Sequence, residues 1–209
     1  MRIGLKRFLL IRELEIIKYS YRKQMSLFSL KQSGDPLALE VSMVGLKLGS
    51  SLLQLGLSNK DMLTTLTKVV GISGESVVAV ETDADVKRVN DIARNAGVLI
   101  DAKKARFSSL PFNSEQFDVV VANDLIGDLR INERVLCLQQ ILQVLKPNGR
   151  CLVIEAAPRG GLGALFSQRS LDRTYVAYGG AEGALKAEGF RAVRQLAERE
   201  GKRYIEGMK

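Results

Sequence analysis

An α/β fold built on a doubly wound, mostly parallel sheet is predicted for this chain by three observations. The stretch Ser50 to Asn59, SSLLQLGLSN, reads as a short buried strand that breaks at Gly56 and is followed by a helical run. Continuous apolar strands recur at Val77 to Val80, Phe117 to Ala122 and Cys151 to Ile154, with helical segments between them, as parallel strands buried on both faces require. The last two segments, Ala192 to Leu196 and Arg203 to Ile205, are joined by a short polar connection that suits a hairpin rather than a crossover. In such sheets nucleotide-like ligands lie in the crevice at the carboxyl end of the first strand.

Taken in order, residues 5 to 24 place Leu10, Leu14, Ile17 and Tyr21 at helical spacing among Lys and Arg, which makes an amphipathic basic helix. Eight basic and two acidic residues fall within residues 1–31, so that segment carries +6 of the net charge of +8. The basic character therefore belongs to an N-terminal extension, residues 1–34, and not to a groove in the main domain, residues 35–209. A nucleic-acid partner is not expected on that distribution. The extension is read as a helix packing its apolar stripe on the main domain, with a surface for anionic lipid or RNA as the second reading.

Ser33 to Pro36 forms a break, with Asp35 as helix cap and Pro36 at the first helical position. A short helix over Leu37 to Val44 leads through glycines into the first strand, Ser51 to Leu55, and Asp61 to Val70 supplies the return helix. Val86 to Asn95 is a helix stopped by Gly97, a third strand lies within Val98 to Phe107, and Asn132 to Leu145 is an amphipathic helix closed by the Lys146 to Gly149 turn. A glycine-rich loop, Arg159 to Gly163, precedes a helix from about Ala181 to Ala187.

The chain of 209 residues is long enough for one domain with a full core. It contains no histidine, which removes Ser-His-Asp hydrolysis, Cys-His proteolysis, imidazole metal sites and histidine general bases. Cys137 and Cys151 lie in apolar segments far from any CxxC spacing and read as buried residues of a reducing compartment, so neither disulfide nor metal is expected. With no signal peptide pattern and no membrane-length apolar run, a cytoplasmic location is expected.

The series LPFNSEQFDVVVAND, then a helix, then VLKPNGRCLVIEAAP resembles the second half of a class I S-adenosylmethionine-dependent methyltransferase, and GFRAVRQLAEREGKRYIEGMK is similar to that family's closing hairpin. The resemblance covers residues 37–209 and implies a seven-stranded Rossmann-like sheet with one reversed strand. It also implies S-adenosylmethionine as cofactor. Carried over by position, the cofactor contacts are Gln54, Gly56, Leu57 and Ser58 in the first turn, Glu81 and Thr82 after the second strand, Arg106 and Phe107 before the Leu110-Pro111-Phe112 loop, and Asn123 after the fourth strand. Where the family has D/E-x-G-x-G-x-G, this chain retains only the first glycine, with Ser58 and Lys60 in place of the other two. Arg106 stands where the family has an adenine-facing acid, and there is no Asn-Pro-Pro-Tyr run.

The function these residues imply is methyl transfer from S-adenosylmethionine to a small molecule, a reaction that depends on alignment and so tolerates a chain without histidine. Asp124 ranks first as proton acceptor, ahead of Asp128, Glu155 and Tyr175. The alternative from another class is a methyltransferase-like binding module that has lost catalysis, motivated by the missing glycines and by Arg106. A nicotinamide-dependent reductase fits less well because its glycine-rich turn is missing.

Overall fold

The computed structural model describes residues 36–157 and 172–209. The expected basic helix at residues 5–24 and the glycine-rich loop at residues 159–163 lie outside them. The chain divides into two units, Met1–Leu39 and Glu40–Lys209, and the second holds the sheet.

Helix α1 (Pro36–Val44) leads into β1 (Ser51–Leu55), whose last four residues are all buried. Helix α2 (Lys60–Val70) starts at Asn59, whose Oδ1 accepts the backbone N–H groups of Asp61 and Met62, both at 3.0 Å. Its buried residues Met62, Leu63, Leu66, Thr67 and Val70 form one stripe, so α2 lies along the sheet and returns the chain to the start of β2 (Glu75–Val80). Thr82 caps α3 (Asp83–Ala96) by accepting the Asp85 N–H, and Gly97 ends that helix in the left-handed region at φ 64°.

The third strand, β3 (Asp101–Lys104), lies within the expected residues 98–107. It has one neighbour, β2, and only four of its residues pair, so the apolar Val98 and Leu99 stay in the preceding loop. Strand β4 (Phe117–Asn123) and helix α4 (Ile131–Val144) match the expected elements within a residue or two. Strand β5 (Leu145–Ala156) begins earlier than expected: Phe117 pairs with Leu145 and Val119 with Arg150, so residues 146–149 loop out of a strand rather than separating a helix from one.

Helix α5 (Arg173–Ala177), a single turn and a half, was not anticipated, and α6 (Gly180–Ala187) was. Strands β6 (Arg191–Arg199) and β7 (Lys202–Met208) form the expected hairpin. Its two-residue tip, Glu200 and Gly201, has both φ angles positive at 52° and 74°, the geometry that matches the right-handed twist of the flanking strands.

The seven strands run in the order β3-β2-β1-β4-β5-β7-β6, parallel except for β7. Leu53, Leu55, Val120, Ala122, Cys151 and Val153 pack on one face against Cys137, Leu138 and Ile141 of α4 and Leu185 of α6. On the other face Val78 and Val80 pack against Leu63 of α2 and Val89 of α3. Both faces being covered, the edge formed by the carboxyl ends of β1, β2 and β4 is where the backbone opens to solvent.

Candidate functional site

Leu55 pairs with Ala79 on one side and Ala122 on the other, so one residue further on Gly56, Val80 and Asn123 stand level at the carboxyl edge. Gly56 has φ 78°, a conformation that favours glycine, and a Cβ built there would meet nothing within 4 Å. Its N–H is bonded to Ala79 O at 2.9 Å, which fixes the turn to the sheet while its α-carbon faces open space.

Gln54 is 2% exposed and donates Nε2 to Gly56 O at 3.3 Å, but its Oε1 is buried without a partner. Asn123, 3% exposed, points Nδ2 at Met62 Sδ at 3.8 Å and leaves Oδ1 buried without a partner. Strand alternation puts both side chains on the same face, beneath the start of α2. Two buried amide oxygens thus lack the hydrogen-bond donors that buried acceptors normally have, and both belong to residues predicted to contact cofactor.

The remaining predicted contacts are distributed along this edge. Leu57 packs against the Val78–Val80 side of the core. Ser58 and Lys60, which stand in place of two glycines, are both exposed. Glu81 follows β2 directly and is exposed, whereas the Thr82 hydroxyl is engaged at the helix cap, accepting from Asp85 N and donating to Asp85 Oδ2 at 2.7 Å. Arg106 is exposed and paired through its backbone with Ser109. Phe107 is 7% exposed and its ring belongs to the main core. Asp124 takes φ 52° and donates its N–H to Ile154 O at 2.8 Å, which turns the chain sharply at the end of β4.

Two of the proton-acceptor candidates are instead joined to each other. Glu155, 2% exposed, accepts the Tyr175 hydroxyl at 2.7 Å and Arg203 at 2.5 Å. Burial, followed by the Glu155 charge, raises the Tyr175 pKa well above the usual phenol range, so Tyr175 holds its proton. The Arg134 guanidinium lies 4.2 Å from the Tyr175 ring centre and donates to the Ile126 and Leu129 carbonyls, tying α5 to the loop after β4.

A second buried pair escaped the sequence reading. Tyr204 of β7 donates its hydroxyl to Glu40 of α1 at 2.6 Å, across 164 positions of sequence. Nothing local marks either residue, since a glutamate in a short helix is ordinarily solvated. A separate cleft of about 610 Å³, lined by Arg150, Val193, Arg194 and Glu206, lies toward the amino-terminal end of β5, away from this edge.

The strand order, the reversed β7 and the open turn after β1 define the class I methyltransferase fold. Residues 53–153 match the family described as a methyltransferase domain. The ubiquinone/menaquinone biosynthesis C-methyltransferase UbiE of Salmonella arizonae is 26% identical over 140 residues, which cover 66% of this chain and 54% of that protein. This chain therefore spans about half the length of the curated relatives it matches. Among solved structures, an S-adenosylmethionine-dependent methyltransferase from Aquifex aeolicus superposes with a TM-score of 0.66 at 18% identity, covering 86% of this chain and 96% of the other. The [4+2]-cyclase SpnF gives 0.63 at 17% identity, covering 82% and 78%. PigF, solved with S-adenosylhomocysteine, gives 0.59 at 13%, covering 77% and 50%. Residues 53–153 thus match a methyltransferase domain, and the fold is the one found in S-adenosylmethionine-dependent methyltransferases, as the sequence resemblance implied.

Among the described residues no helix is long and apolar enough to cross a membrane.

Proposed function

We propose that the chain binds S-adenosylmethionine at the carboxyl edge of β1, β2 and β4 and transfers its methyl group to a small-molecule acceptor. The observation that carries this reading is the pair of unpartnered buried oxygens, Gln54 Oε1 and Asn123 Oδ1, beside a Gly56 whose open side leaves room for a ligand. A buried acceptor without a donor is costly, and a ligand bearing N–H groups would satisfy it. The residues fit the cofactor on that count.

When bound, the cofactor supplies an electrophilic sulfonium methyl group. Gly56, Leu57 and Ser58 admit it to the backbone of the first turn, and the exposed Ser58 and Lys60 side chains leave that approach open. Glu81 is assigned to the two ribose hydroxyls, which its two oxygens can accept together. Thr82 holds the start of α3 beside it. Arg106 offers a planar cation to stack on the adenine, with Phe107 behind it in the core. Asp124 is assigned as proton acceptor, held by its own backbone bond to Ile154.

The similarity to a quinone-pathway C-methyltransferase supports a small organic acceptor methylated at carbon. Residues 1–34 are proposed as a separate basic segment and residues 35–209 as the methyltransferase domain. Two free, buried cysteines agree with a cytoplasmic setting. Calorimetric titration with S-adenosylmethionine and S-adenosylhomocysteine tests the reading: micromolar affinity that drops by about tenfold or more in Glu81→Ala is expected. Absence of binding at millimolar ligand would favour a module without cofactor.

A further inference from the structure

We infer that Arg134 recognises an oxyanion carried by the methyl acceptor, which makes that acceptor an organic anion with an apolar body. The assignment rests on the methyl-transfer reading above and names the substrate class of the same site. Arg134 closes the first turn of α4 and is 7% exposed. Arginine is seldom buried to that extent without a carboxylate beside it.

Among the described residues no carboxylate pairs with this guanidinium. Its Nε donates to Ile126 O at 2.9 Å, its Nη2 donates to Leu129 O at 2.7 Å, and its carbon lies 4.2 Å from the Tyr175 ring centre. Carbonyls and a ring face offer partial charges only. Burial, and then the Glu155 charge, keep Tyr175 protonated, so the ring is no counter-ion. Glu155 accepts the Tyr175 hydroxyl and is already matched by Arg203 at 2.5 Å. Arg134, Arg203 and Glu155 together therefore leave one positive charge uncompensated. Nη1 of Arg134 donates to no protein acceptor and yet is not sealed from solvent, so that charge has an open side.

The guanidinium sits at the carboxyl end of the sheet. Ile126 and Leu129 belong to the turn that follows β4 and begins with Asp124, and Tyr175 is held by the second-last residue of β5. Apolar surface borders it. Ile131 stands one helical turn before Arg134 on the same side of α4, yet it is 65% exposed where the rest of that stripe is buried. Val176, beside Tyr175 on α5, and Tyr178 just after that helix are exposed as well. A cation opening among exposed apolar side chains matches a small organic anion: a carboxylate or phenolate oxygen meets the guanidinium, and the carbon skeleton covers the apolar surface.

The test measures binding of benzoate and of benzamide, a neutral molecule of the same shape, to the full chain saturated with S-adenosylhomocysteine, by ligand-observed NMR. The wild-type chain is expected to bind benzoate in the millimolar range, about tenfold or more tightly than benzamide, as a charge-assisted hydrogen bond implies. Arg134→Gln, which keeps a donor for one of the two carbonyls, is expected to bind the two probes equally. Because Arg134 also clamps the turn after β4, a second pair of variants leaves it in place. Ile131→Asp sets a competing carboxylate one turn from the guanidinium, and Ile131→Asn differs from it in charge alone. The aspartate variant is expected to bind benzoate at least about threefold more weakly than the asparagine variant. No benzoate binding, equal wild-type affinity for the two probes, or equal benzoate affinity in the two Ile131 variants overturns the assignment and leaves the cofactor reading intact. Failure of the wild type to bind S-adenosylhomocysteine overturns both.

Discussion

Asp118 shows how a single side chain joins neighbouring elements at the amino-terminal edge of the sheet. From β4 its Oδ2 accepts the Ser51 N–H at 2.7 Å and Lys146 Nζ at 2.9 Å, linking the start of β1 to the looped-out turn in β5. Burial pushes its carboxyl pKa upward, but the Ser51 hydrogen bond and the Lys146 ammonium outweigh that push and hold it below the ordinary value of 3.8. A carboxyl with a lowered folded pKa stabilises the fold at any pH above its unfolded value, and that contribution is lost as pH falls through the folded one. Asp118→Asn should therefore be less stable than wild type near neutral pH, with the difference shrinking below about pH 4. Urea unfolding across that range measures it, and a constant difference at all pH values would show that the charge plays no part. At the same scale lies what was least legible in the sequence. Glu81, Asn123 and Gly56 were marked as candidates by a family pattern and by strand ends. Glu40 and Tyr204 were missed because their pairing exists only after α1 folds against β7, and neither carries a local signature.

At the scale of elements, periodicity and punctuation located most of the chain. Helix α2 was legible from its apolar stripe, α3 from the glycine that stops it, and the β6–β7 hairpin from its short polar connection. What was left open or missed has physical causes. Strand β3 is an edge strand of four pairing residues, so its limits are set by β2 rather than by its own apolar run. Helix α5 is too short for a period to show, and Glu155 and Arg134, which hold Tyr175 in place, come from distant positions. The cap of α2 matters more than its length suggests, because the first turn of that helix borders Gly56. Asn59→Ala removes an acceptor for two N–H groups and should cost about 1 kcal/mol of stability, lowering the midpoint of thermal unfolding by about 2–4 °C. Calorimetry checks this, and an unchanged midpoint would mean that solvent replaces the cap without loss.

For the whole molecule, the sheet order carries the functional argument further than any one motif. The reversal between β1 and its two flanking directions, toward β2 on one side and β4 on the other, opens the crevice, and the helices on both faces leave that edge free. A first turn with two of its three glycines replaced still leaves Gly56 facing open space and places the substituted side chains at the surface. Hydrogen–deuterium exchange of the full chain with and without S-adenosylhomocysteine tests this arrangement most directly. Slower exchange at residues 56–62, 81–86 and 123–126, with no change in the β6–β7 hairpin tip, is the predicted result. Protection confined to other parts of the sheet, or none with ligand at saturating concentration, would contradict it.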